Sequence, residues 1–88
     1  MAEVLFTERG QERLKDLDTE AQERIKKKLG EITDWPEHFL KPLKGRDDYS
    51  LRVGDYRALI QWEKHEDEED TLYVKSVGHR RNFYDREL

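Results

Sequence analysis

From Tyr49 to Val77 apolar and polar residues alternate through YSLRVGDYRALIQW and LYVKSV, interrupted only by the charged run HEDEED. A period of two is what a strand needs to bury one face and wet the other. The pattern predicts three strands, at roughly 48–54, 56–64 and 71–78. Gly54-Asp55 is short enough to be a tight hairpin turn between the first two, and HEDEED a solvated tip between the last two. Leu51 and Val53 then share one face, with Ser50 and Arg52 on the other. Tyr56, Ala58 and Ile60 oppose Arg57, Leu59 and Gln61, and strict alternation sets Tyr73, Lys75 and Val77 against Leu72, Val74 and Ser76.

The first half follows a different period. EVLFT at 3–7 reads as a short strand, and Thr7 is placed to cap a helix with Glu8 in its first turn. Leu14 and Leu17 mark a short amphipathic helix ending near Asp18. Asp18 or Thr19 caps a second, whose Ala21, Ile25, Leu29 and Ile32 fall on one stripe opposite Glu23, Lys26, Lys27 and Glu31. Pro36 ends it. Residues 36–47 read as a connection anchored by Phe39, Leu40 and Leu43, with Leu43-Lys44-Gly45 turning into the sheet. The order β-α-α-β-β-β predicts an α+β domain, an antiparallel helix hairpin packed on a mainly antiparallel sheet.

Eighty-eight residues make one domain with a modest core. The charged fraction of 43% approaches that of disordered chains, but the regular periodicity and nine aromatics argue for a folded one. With no cysteine, disulfides and thiolate metal sites are excluded. No apolar run approaches the roughly 18 residues that span a bilayer. MAEVLFTERG lacks the regions of a signal peptide, so a cytoplasmic location is expected. The net charge of −4 argues against a general nucleic-acid binder and requires any such contact to be a local basic pocket.

Such a pocket is written into the strands. Arg52 and Arg57 flank the two-residue turn, Arg80 and Arg81 arrive at the end of the last strand, and Tyr49, Tyr56 and Tyr84 lie close by. A lone cation such as Lys75 or Arg86 is expected to pair with one of the 21 acidic residues. Four arginines gathered on neighbouring strands repel one another, which suits a site that holds an anion, a phosphate being the obvious candidate. His79, between Gly78 and Arg80, is either a proton carrier or a hydrogen-bonding residue that orders the strand end. No other histidine is near it in sequence, so no metal site is expected, and His38 and His65 receive no role. Of Phe83 and Tyr84, one is expected to pack at the core edge and the other to stack on a base. Tyr49 and Tyr56 read as structural.

The pattern Leu51-Arg52-Val53-Gly54-Asp55-Tyr56-Arg57, the step Leu43-Lys44-Gly45, and Val77-Gly78-His79-Arg80 followed by Tyr84 resemble the RelE/ParE superfamily of toxins from bacterial and archaeal toxin–antitoxin systems. The resemblance covers nearly the whole chain and agrees with the fold above. It implies a metal-free, cofactor-free ribonuclease that cuts messenger RNA in the ribosomal A site. Attack of a 2′-hydroxyl on the adjacent phosphate would leave a 2′,3′-cyclic phosphate and a 5′-hydroxyl. By position, Arg52, Arg57, Arg80 and Tyr84 match the family site, with His79 the best chemical substitute for a base. Ser50 stands where some members carry lysine, which leaves that base unassigned. Lys44, Arg81 and Phe83 would be RNA contacts. The implied partners are a cognate RelB-like antitoxin, the message and ribosomal RNA. A ParE-like gyrase poison and an inactive member that only binds its antitoxin remain as alternatives.

Overall fold

The computed structural model describes residues 2–86, and side chains as far as Phe83. Its elements in order are β1 (Ala2–Phe6), α1 (Glu8–Lys15), α2 (Thr19–Ile32), α3 (Pro36–Phe39), β2 (Leu40–Pro42), β3 (Tyr49–Val53), β4 (Tyr56–Glu63), β5 (Asp70–His79) and α4 (Arg80–Arg86). The strands form one sheet in the order β1-β5-β4-β3-β2. Only β1 runs parallel to its neighbour, β5; the other pairings are antiparallel. The fold is therefore the mixed α+β arrangement expected.

Three features lie beyond the expectation. The connection after Pro36 holds a four-residue helix with proline in its first turn, and a three-residue edge strand ending in Pro42. Both positions suit proline, which has no N–H to lose there. The chain after His79 coils into α4. The ladder between β4 and β5 also slips, since Leu59 pairs with Ser76 and Ile60 with Val74, leaving Lys75 as an extra residue. Strict alternation would put Val77 on the face opposite Leu72 and Val74. The bulge resets the phase, so all three share a face, together with Ala58, Ile60, Leu51 and Val53. The released Lys75 reaches the buried Asp48, its Nζ 3.2 Å from Oδ1, and Arg46 donates to the other carboxylate oxygen at 2.7 Å.

α2 covers this face with its stripe of Ile25, Leu29 and Ile32, making the main core with Leu51, Ala58, Ile60, Leu72 and Val74. Asp18 caps α2 by accepting from Ala21 N at 2.8 Å. α1 takes over the edge of β5 where β1 leaves it. Thr7 donates to Val74 O through its backbone N at 3.1 Å and its hydroxyl at 3.2 Å, and its Oγ1 also accepts from Gly10 N. The approach is close enough that a Cβ on Gly10 would lie 2.0 Å from Val74 O. No described helix is long and apolar enough to cross a membrane.

Candidate anion-binding site

The site begins with the turn. Gly54 adopts φ +57°, a left-handed conformation that favours glycine, and closes a two-residue loop between β3 and β4. One pair out from the turn, Arg52 faces Arg57 across the ladder. Residues so paired have Cα atoms roughly 4.5–5.5 Å apart and side chains on the same face. Like charges in that relation are unfavourable, and neither guanidinium has a carboxylate partner among the described residues. Arg57 Nη1 instead folds back to donate to the turn carbonyls, Gly54 O at 2.9 Å and Tyr56 O at 2.8 Å. These bonds orient the group without neutralising it, and its remaining N–H donors stay available.

β5 brings the third arginine. Gly78 pairs with Arg57, so the backbone beside that arginine carries no side chain. The chain is then pinned to the turn, with Arg80 N donating to Asp55 O at 2.7 Å. Arg80 Nε lies 3.7 Å from Asp55 Oδ1, but both side chains are more than half exposed, so the pair carries little weight. Arg52, Arg57 and Arg80 thus gather at one end of the sheet. Arg81, exposed in the first turn of α4, follows directly.

The other candidates are placed differently. His79 pairs with Tyr56, on the face opposite Arg52 and Arg57, and its ring meets Tyr56 edge-on at 5.5 Å. Its Nδ1 accepts from Arg81 N at 3.2 Å, so it caps α4, and it lines a cleft with Arg13, Asp16 and Leu17. Alternation along β5 therefore places His79 off the arginine face. Phe83 is fully buried, over Gly78, where a Cβ would sit 3.9 Å from its Cδ1. It is a core residue and offers no face to a base. Lys44 is exposed in the turn before β3, at the far end of that strand from Arg52, and does not join the cluster. Tyr84 belongs to α4, but its side chain lies outside the described residues.

On the arginine face the nearest neighbours are Ser50, Leu59, Ser76 and Gly78, with no imidazole or carboxylate among them. The arrangement can hold and stabilise a multiply charged anion, but these residues include no general base for neutral pH. No cluster of three or more metal-ligating side chains occurs among the described residues. The sequence reading missed the backbone clamp from Arg80 to Asp55, which no residue-type pattern announces.

A family model described as "ParE toxin of type II toxin-antitoxin system, parDE" matches residues 4–84. Among solved structures, the chain is similar to the toxin–antitoxin complex RelBE2 from Mycobacterium tuberculosis, with 27% identity, 89% of this chain and 96% of that chain covered, and a TM-score of 0.75. It is similar to the intact Escherichia coli RelBE complex at 33% identity, with coverage of 88% and 94% and a TM-score of 0.65. A mutant of E. coli RelE in the free state matches at 31% identity over 97% of this chain and 86% of that one, with a TM-score of 0.69. No curated protein sequence matches.

Proposed function

Because the chain belongs to the RelE/ParE superfamily and is a toxin of a type II toxin–antitoxin system, we propose that it acts as a metal-independent endoribonuclease on messenger RNA in the ribosomal A site. The observation that carries this reading is the facing pair Arg52–Arg57, without a carboxylate partner among the described residues, with Arg80 clamped beside it. In the reaction the 2′-oxygen forms a bond to phosphorus and the bond from phosphorus to the 5′-oxygen breaks. The 2′-proton leaves to a base, and the departing oxygen takes up a proton. Extra negative charge builds on the non-bridging oxygens of the five-coordinate phosphorus, where preorganised cations are most effective.

Arg57 and Arg80 are assigned to that phosphate. Arg52 adds positive charge and supports the leaving oxygen, and Tyr84 orients the nucleotide. No residue of the arginine face described above serves as base, so proton transfer falls to solvent or to a group of the ribosome. That division of labour makes the ribosome part of the catalyst. The cognate partner is an antitoxin; RelBE2 and RelBE, named above, are toxin–antitoxin complexes.

The matching family model is that of ParE toxins, which favours a second reading, a gyrase poison with no nuclease activity. The two are separated by toeprinting a translating ribosome and by a DNA-supercoiling assay with the same protein. A-site cleavage with unaffected supercoiling supports the nuclease. An intact message with inhibited supercoiling supports the poison.

A further inference from the structure

The cations do not stop at the sheet. Arg52 also lines a groove of about 300 Å³ between the β3–β4 turn and α2, whose other walls include Arg24, Lys27 and Lys28. Arg24 leans over the turn, its Nη1 3.9 Å from where a Cβ on Gly54 would lie. Arg24, Lys28 and Glu31 follow one another at spacings of four and three, a stripe beside the buried one. Arg24 and Lys27 are exposed and, like Arg52, have no hydrogen-bond or ion-pair partner among the described residues. Lys28 is the exception, 3.7 Å from Glu31.

From this groove a run of aromatic contacts leads away. Lys28 Nζ sits 4.6 Å from the ring centre of Phe39, Phe39 meets His38 edge-on at 4.9 Å, and His38 stacks on Trp35 at 4.3 Å. Trp35 remains 56% exposed. An exposed tryptophan in a chain with so little apolar content has a cost in water that its single stacking contact does not remove. At about 1.5 Å per residue, Arg24 lies roughly 12 Å from Ile32 at the end of α2, and Trp35 follows three residues on, within reach of a short strand.

We propose that this surface, from Arg52 through Arg24 and Lys27 to Trp35, holds the single-stranded RNA that runs on from the cleavage site. Phosphates would lie in the groove and a base would stack on Trp35. Unpaired cations alone would serve an acidic peptide equally well. The exposed stacked indole decides for RNA, since every base offers a flat face and aromatic stacking is the sequence-tolerant way to hold one.

The inference rests on the nuclease reading for the direction of the strand, but binding can be measured without cleavage. The probe is a fluorescently labelled 2′-O-methyl RNA oligonucleotide, which has no 2′-hydroxyl to attack, titrated by anisotropy over a salt series with the full-length toxin. Arg24→Ala/Lys27→Ala is expected to bind about ten-fold more weakly at low salt and to flatten the dependence of log K on log salt by one to two phosphate contacts, each about 0.7 in slope. Trp35→Ala is expected to weaken binding roughly five- to hundred-fold with the salt slope unchanged. RNA should also quench the wild-type tryptophan signal, because Trp62 is held by Asp70 and Trp35 is the exposed one. Failure of the wild type to bind, or unchanged affinity in both variants, overturns the inference even if the toxin cleaves messages on ribosomes. Unchanged RNA affinity with weakened antitoxin binding overturns it too, and gives the surface to an acidic protein segment. If the wild type cleaves nothing but its binding depends on these residues, the surface stands and the nuclease reading falls.

Discussion

Arg52 and Arg57 face each other across the β3–β4 ladder, one pair from the turn, and neither is matched by a carboxylate among the described residues. Directly opposed like charges are unfavourable by a few tenths to about 1 kcal/mol. Arg52→Gln is therefore expected to leave the protein as stable as the wild type or up to about 0.5 kcal/mol more stable. Sulfate should raise the melting temperature of the wild type more than that of the variant. Thermal melts with and without sulfate check this, and a variant that melts well below the wild type would give Arg52 a structural role.

Phe83 closes the core under α4. Phe83→Ala is expected to cost about 3–5 kcal/mol and Phe83→Leu much less, read from urea unfolding. A stable alanine variant that has lost only RNA affinity would return Phe83 to the role of stacking platform.

Gly10 has no room for a side chain against Val74 O. Gly10→Ala gains helix propensity but must push α1 off the edge of β5, so a net loss of about 3 kcal/mol is expected, at the upper end for overpacking. Gly30, which meets nothing within 4 Å, is the control: Gly30→Ala should stabilise by up to about 1 kcal/mol.

Asp70 accepts hydrogen bonds from Trp62 Nε1 at 2.9 Å and from His65 N at 3.2 Å. The Trp62 bond is the larger cause of a carboxyl pKa held below the ordinary value, and the His65 bond adds to it. A depressed pKa stabilises the fold above the unfolded value, near 3.9, and that stability is lost as pH falls through the folded value. Asp70→Asn should flatten the acid limb of the stability curve. An unchanged limb, followed by fluorescence, would mean the bonds to Asp70 do not hold in solution.

Much of this fold was legible because its two periods are clean: Ile25, Leu29 and Ile32 repeat as a helix, and Leu51, Val53, Ala58 and Ile60 as strands. What escaped was local. Lys75 bulges from the ladder, and one inserted residue inverts the phase of everything beyond it. β2 and α3 are too short to display a period. α4 turns Phe83 inward, which adjacency to Tyr84 could not reveal. The arginines of the site were visible as residue types on strands, but His79 was joined to them for its chemistry and Lys44 through the family resemblance, and strand alternation and the direction of β3 separate both from the cluster. Lys27 read as part of the solvated face of a helix and Arg24 drew no reading, since only the three-dimensional fold sets them beside Arg52.

The most direct test of the central claim is single-turnover cleavage of an A-site codon on programmed ribosomes by the wild type, Arg57→Ala and Arg80→Ala. Cleavage by the wild type is expected, with a loss of at least about a hundred-fold in each variant, as for removal of a preorganised charge-stabilising group, and with folding intact by circular dichroism. Wild-type rates in both folded variants, or no cleavage by the wild type, would contradict it.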